Sequence, residues 1–132
     1  MILITGGAFQ GKRDFAVKQI LKQNSAAADD IRIAEGAAAA AGEIRGAALL
    51  TDYHLLVKRQ LQEGKDPMTA AKEFVSENPQ LVVTADELGC GIVPADAFDR
   101  EWRETVGRCC CYLAGQAGAV YRVTCGIGTR IK

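Results

Sequence analysis

Apolar and polar positions follow two alternating regimes along this 132-residue chain. Short continuous apolar runs predict buried strands, and apolar positions spaced three and four apart predict helices. Ile2-Leu3-Ile4-Thr5 is the first strand, cut off by Gly6-Gly7. From Gly11 the spacing turns helical, with Ala16, Val17, Ile20 and Leu21 on one side and Lys18, Gln19, Lys22 and Gln23 around them. Residues 30–34 (DIRIA) predict a second short strand. Residues 36–46 are rich in Ala and Gly and read either as a short helix or as a mobile loop, because alanine favours helix yet offers little to pack. Residues 47–51 predict a buried strand, followed by a helix over 52–63 that Gly64 stops.

Asp66-Pro67 is a helix start, with a capping carboxylate and proline at the first helical position. Met68, Ala71, Phe74 and Val75 give that helix its apolar face, and Asn78-Pro79 ends it. Residues 81–84 (LVVT) form the clearest buried strand. A glycine-rich turn then leads to the longest helix, over 95–117, with a stripe of Phe98, Trp102, Val106, Cys109, Cys110 and Leu113. Residues 120–124 predict a further strand, and Ile131 belongs to one more. Strands this short and this apolar, alternating with helices, imply an α/β fold with a mainly parallel sheet and helices on both faces. No linker or internal repeat divides residues 1–132, so a single domain is expected.

Composition narrows the function. Lys plus Arg and Asp plus Glu number 16 each, for zero formal net charge, which argues against coating nucleic acid or an anionic membrane. The five cysteines are an odd number without framework spacing, which suggests reduced thiols in a cytoplasmic protein. No leader or membrane-length apolar run is evident in the sequence. Cys109-Cys110-Cys111 cannot close a tetrahedral metal site alone, because consecutive helical residues point ~100° apart. They are expected as buried small hydrophobes.

Gly6-Gly7-Ala8-Phe9-Gln10-Gly11-Lys12 lies between the first strand and the first helix, with the Gly-x4-Gly-Lys spacing of a phosphate-binding P-loop. Small residues let the backbone wrap a phosphate, the helix N-terminus adds positive charge, and Lys12 reaches the outer phosphates. These seven residues and Arg13 form the candidate nucleotide-binding set. Arg13 stands where such loops carry a Mg²⁺-binding hydroxyl. At ~4 Å and an effective dielectric of ~20, arginine and Mg²⁺ would repel by roughly 8 kcal/mol. Arg13 therefore points away, contacts phosphate itself, or serves a site without a conventionally held metal. Asp86 and Glu87 follow the buried strand, where open α/β sheets bind ligands and P-loop proteins place a Mg²⁺ carboxylate.

The pairing of GGAFQGK with DELGCGIVP resembles the adenosylcobinamide kinase/adenosylcobinamide-phosphate guanylyltransferase family of cobalamin biosynthesis, whose pattern runs GGxxSGKS and later NEVGxGIVP. Arg100, Trp102, Arg103, Gly107, Leu113 and Ala114, then Val120-Tyr121 and Cys125-Gly126-Ile127, resemble its later helix and last strand. The likeness covers residues 1–23 and 80–132, and Leu49-Leu50-Thr51-Asp52 only loosely matches a strand that ends in aspartate.

The resemblance implies a P-loop NTPase-like domain in which Gly6, Gly11 and Lys12 bind the triphosphate of ATP or GTP. Lys12 and Glu87 would be catalytic, and Glu87, with Asp86 beside it, would help hold Mg²⁺. It also implies a corrinoid acceptor, cobinamide, phosphorylated on a side-chain hydroxyl and then given GMP through a guanylylated histidine. A homo-oligomer is a further expectation from the resemblance. Two departures stand against the full pattern: Arg13, and the missing basic segment that carries the nucleophilic histidine. The chain's one histidine, His54, follows Thr51-Asp52. It reads as a structural residue on or partly under a helix, with a phosphate contact as the other reading. The alternative to an active transferase is a nucleotide-binding accessory or regulatory protein that has lost the chemistry.

Overall fold

A computed structural model describes residues 1–23 and 30–132. Among the described residues, the elements in chain order are β1 (Ile2–Gly6), α1 (Lys12–Gln23), β2 (Ile33–Glu35), α2 (Ala41–Gly46), β3 (Leu49–Thr51), α3 (Tyr53–Gln62), α4 (Pro67–Glu77), β4 (Val82–Asp86), α5 (Ala97–Gln116), β5 (Ala119–Thr124) and β6 (Ile127–Arg130). The strands form one sheet in the order β2-β3-β4-β1-β5-β6. The first five are mutually parallel and β6 is antiparallel to β5.

The pleat sends alternate side chains of β1 to opposite faces. Ile2 and Ile4 join Leu49, Val82, Val123 and the Ala16–Ile20 side of α1 in one core. Leu3 joins Leu50, Val83 and Val120 in the other, beneath α2, α3, α4 and α5. Both faces are thus covered, which is why the strands read as unbroken apolar runs.

Local chemistry sets the ends of the elements. Asp66 caps α4, accepting from the Met68 and Thr69 amides at 3.1 Å each. Asp96 caps α5, accepting from the Asp99 amide at 3.1 Å. The two readings of residues 36–46 divide the segment between them: a turn comes first, and the helix covers only Ala41–Gly46. Glu43 stabilises its start by accepting from the Ala40 amide at 2.6 Å.

Three expectations need correction. The second strand is Ile33–Glu35 and not 30–34, because its pairing with β3 sets Ile33 against Leu49 and Glu35 against Thr51. The last strand is Ile127–Arg130 and stops before Ile131, which is exposed. Cys125 and Gly126 both have positive φ, 51° and 78°, so a tight two-residue reversal starts β6 at once. Of the three consecutive cysteines only Cys109 is buried; Cys110 is half-buried and Cys111 exposed, as the helical turn between neighbours requires.

Candidate functional site

The carboxyl ends of β1, β3 and β4 meet at one edge of the sheet, and each contributes to a common cavity. Gly6 pairs in register with Asp86, so the glycine-rich loop begins beside the last residue of β4. Gly6 has φ +151°, and a Cβ there would sit 2.3 Å from the Val123 carbonyl oxygen. At the loop's other end Gly11 has φ +82°. These two positions need glycine for conformation and for clearance. Phe9 also adopts a left-handed conformation, at φ 57°, and its ring is fully exposed. The β5–β6 turn braces the loop: the Gly126 amide donates to the Gln10 carbonyl at 2.9 Å, and the Cys125 amide to Gln10 Oε1 at 2.7 Å.

Among the described residues, none accepts a hydrogen bond from the amides of residues 7, 8, 9 and 11, while a turn over Ala8–Phe9 directs the Gln10 amide back towards Gly7. Lys12, the first residue of α1, is buried. Its Nζ donates to the Gly7 carbonyl at 2.6 Å and pairs with Asp86 Oδ1 at 2.6 Å. The ammonium therefore closes the loop on itself. Unpaired amides, a helix N-terminus and a lysine together are the chemistry that receives phosphate.

A cavity of about 370 Å³ lies over this loop, lined by Lys12, Arg13, Thr51, Asp52, His54 and Asp86 among others. Arg13 is exposed, and its Nη1 lies 3.4 Å from Glu35 Oε1 at the end of β2. Asp52 stands between β3 and α3 at φ 52°, and its amide donates to Thr84 Oγ1 at 3.2 Å. One ligand atom each from Asp52, His54 and Asp86 falls within 4.8 Å of the others. Two carboxylates beside the glycine-rich loop are hard-oxygen donors of the kind Mg²⁺ takes.

His54 is buried in the first turn of α3. Its Nδ1 accepts from the Asp86 amide at 3.2 Å, serving β4 beyond the point where β3 has left the sheet. Nε2 lies 3.6 Å from Asp86 Oδ2, beyond hydrogen-bond distance. Trp102 of α5 lies over the imidazole, with ring centroids 6.3 Å apart, and its indole N–H donates to the His54 carbonyl at 2.7 Å. Burial lowers the His54 pKa from 6.5; the carboxylates of Asp86 and Asp52 oppose this and Lys12 reinforces it. The ring is accordingly neutral near pH 7, with its proton on Nε2, because Nδ1 is an acceptor.

Glu87 faces elsewhere. Arg122 grips it with two bonds, Nε to Oε1 at 3.0 Å and Nη2 to Oε2 at 2.7 Å, and Thr5 Oγ1 adds a third at 3.2 Å. Glu87 lines a second cavity, of about 860 Å³, whose wall includes Thr5, Val93, Arg103, Val106 and Cys110. Asp86 lines both cavities. Arg100 and Arg103 of α5 hold the intervening loop through the carbonyls of Pro94, Ala95 and Gly89.

Sequence reasoning named Lys12 and Asp86 for the site and gave His54 a phosphate contact only as its second reading, but did not bring Asp52, Trp102 or Arg122 into it. The available signal was topological: Thr51-Asp52 ends a buried strand as Asp86 does, and parallel neighbours present their carboxyl ends at the same edge.

The molecule is thus an α/β protein with a glycine-rich loop at the carboxyl edge of a mainly parallel sheet. Residues 35–131 match the family model for cobinamide kinase / cobinamide phosphate guanyltransferase (CobU), more than half of the chain, and the chain belongs to that family. The match includes Asp52, His54, Asp86 and Glu87, and begins downstream of the glycine-rich loop. Two curated relatives are each named bifunctional adenosylcobalamin biosynthesis protein CobU, one from Escherichia coli (strain K12) and one from Salmonella typhimurium (strain LT2). Each is 40% identical over 53 residues, which is 40% of this chain and 29% of the relative's length. Among the described residues, no helix is long and apolar enough to cross a membrane.

Proposed function

We propose that the chain is a nucleotide-binding phosphotransferase of the cobinamide-kinase type, with residues 6–12 acting as a P-loop for the triphosphate of ATP or GTP. The observation that carries this is the loop itself: the amides of residues 7, 8, 9 and 11, without an acceptor among the described residues, in a loop closed by Lys12 next to Asp86. Asp86 and Asp52 are the carboxylates that would hold Mg²⁺ beside a loop-bound phosphate. Glu87 would have to leave Arg122 to join them. Bound Mg²⁺ would neutralise charge on the phosphates. The larger cavity is the place for an acceptor such as cobinamide, and Asp86 stands at the border between acceptor and nucleotide. A homo-oligomer belongs to the same proposal.

The guanylyl half of the family's chemistry has no candidate acceptor here. His54 is buried under Trp102 with Nδ1 committed to the Asp86 amide, a poor setting for an in-line attack on a nucleotide phosphate. The second reading, an accessory nucleotide-binding protein, is favoured by Arg13 in place of a metal-binding hydroxyl.

A phosphoryl-transfer assay on cobinamide with ATP and GTP, run beside Arg13→Ser, separates the two. Transfer by the wild-type chain supports the kinase. Nucleotide binding without transfer, together with a larger Mg²⁺ dependence in Arg13→Ser, supports the accessory reading. Intact-protein mass spectrometry after incubation with GTP and Mg²⁺ is expected to show no added GMP.

A further inference from the structure

The charges on the wall of the larger cavity do not cancel. Its three carboxylates are each taken up, Asp86 by Lys12 at 2.6 Å, Glu87 by Arg122 at 2.7 Å and Glu104 by Arg108 at 2.5 Å. Arg100 and Arg103 also line the wall, and among the described residues neither is paired with a carboxylate. The acids at the start of α5 are occupied elsewhere, Asp96 by the Asp99 amide and Asp99 by Lys58 at 3.6 Å. Two positive charges are left over on the acceptor side of Asp86.

Both guanidinium groups are held in place without being neutralised. Arg100 Nη1 donates to the Pro94 and Ala95 carbonyls at 2.9 Å and 2.5 Å, and Arg103 Nη2 donates to the Gly89 carbonyl at 3.0 Å. Carbonyls orient a guanidinium and leave its full charge, and its other N–H groups, for a ligand. The two residues are three apart on α5 and so share one face of the helix. Gly107, one turn beyond Arg103, lines the same cavity, and a Cβ there would meet nothing within 4 Å. The space beside Arg103 is therefore open. Charged, planar forks of N–H donors are what bind the oxygens of a phosphate.

We propose that Arg100 and Arg103 form an anion subsite in the larger cavity that receives a phosphate monoester, the group an acceptor carries once it has been phosphorylated. The inference rests on the acceptor reading of that cavity given above. It differs from a purely structural role, in which the two arginines only hold the loop of residues 89–95 and would matter equally for charged and neutral ligands.

Two probes separate the subsite from the glycine-rich loop and from a structural role. Inorganic phosphate is titrated into the isotopically labelled chain and followed residue by residue by NMR. Cobinamide and its phosphate ester are compared by equilibrium dialysis, read from the corrin absorbance. Wild type should show phosphate-dependent shifts at residues 89–107, with an affinity separate from that of any shifts at residues 6–12. Arg103→Gln should weaken the former by about 10-fold, the loss of a charge-assisted contact, and leave the latter unchanged. Cobinamide phosphate should bind wild type about 10-fold more tightly than cobinamide for the same reason. Arg100→Gln and Arg103→Gln should each reduce that preference with cobinamide affinity kept, and Arg103→Lys, which retains the charge, should preserve part of it. Shifts confined to residues 6–12, no preference for the phosphate ester in wild type, or variants that weaken both corrinoids equally would overturn the subsite. Failure of both corrinoids to bind, with the shifts at residues 89–107 present and weakened in Arg103→Gln, would sink the corrinoid acceptor and leave the subsite to a different phosphate monoester.

Discussion

Replacing Asp86 by Asn should strengthen nucleotide binding in the absence of Mg²⁺, although Asp86 lies in the site. The Lys12 Nζ–Asp86 Oδ1 pair is 2.6 Å long, with side chains only 7% and 17% exposed. At an effective dielectric of ~20, the gross attraction is about 6 kcal/mol. Desolvation offsets much of it, and contacting residues typically show coupling of roughly 0.5–3 kcal/mol, so we expect about 2 kcal/mol here. An incoming phosphate that draws Lys12 away does so against that coupling. Asp86→Asn removes the competitor, and 2 kcal/mol corresponds to about 30-fold tighter Mg²⁺-free binding. With Mg²⁺ the same variant should gain less from the metal than wild type, because a carboxylate ligand has gone.

The coupling is measurable without nucleotide. Urea unfolding of wild type, Lys12→Met, Asp86→Asn and the double variant closes a double-mutant cycle. Lys12→Met alone should destabilise by about 3 kcal/mol, because it strands a mostly buried carboxylate. The double variant should recover most of that loss. Coupling indistinguishable from zero, or weaker Mg²⁺-free binding by Asp86→Asn, would refute the picture of a lysine held in reserve by β4.

Three further outcomes are expected. Gly6→Ala places a methyl 2.3 Å from the Val123 carbonyl oxygen at φ +151°, so it should cost about 3 kcal/mol or more in thermal or urea unfolding and displace the loop. Asp66→Ala removes the acceptor for the Met68 and Thr69 amides and should cost about 1 kcal/mol in urea unfolding, with nucleotide binding unchanged. Burial depresses the folded-state pKa of His54 below 6.5, so the unfolded chain binds the extra proton first as pH falls. This contribution to stability is complete above pH 6.5 and declines as pH drops towards the folded value; unfolding curves of wild type and His54→Asn should diverge less as pH is lowered through that window.

Most of the fold was legible because each element carries its own signal. Unbroken apolar strands such as residues 81–84 announce a sheet covered on both faces, and Asp66-Pro67 announces a helix start. β2 was misplaced because its extent depends on pairing with Leu49 and Thr51, which a three-residue strand does not encode by itself. β6 was misplaced because the positive φ at Cys125 is not written in a cysteine, a residue with no special liking for that conformation. The loop of the candidate site was legible from spacing. Asp86 was legible at the end of its strand, but its neighbours were not, because Asp52 lies between β3 and α3, His54 in α3 and Trp102 in α5, and they meet Asp86 only once the sheet order is known. Asp86 and Glu87 show the same limit at closer range. They are adjacent in sequence, yet one turns to Lys12 and the other to Arg122, a division set by strand alternation and by β5.

The central claim is that the loop of residues 6–12 receives a nucleotide phosphate through its amides and Lys12. Calorimetric titration of ATP and of GTP into the wild-type chain and Lys12→Ala, each with and without Mg²⁺, tests it most directly. The account predicts saturable binding of at least one nucleotide by the wild type and a loss of 10-fold or more in Lys12→Ala, as expected when a charged contact to phosphate is removed. Equal affinity of the two proteins, or no binding by either, would contradict it.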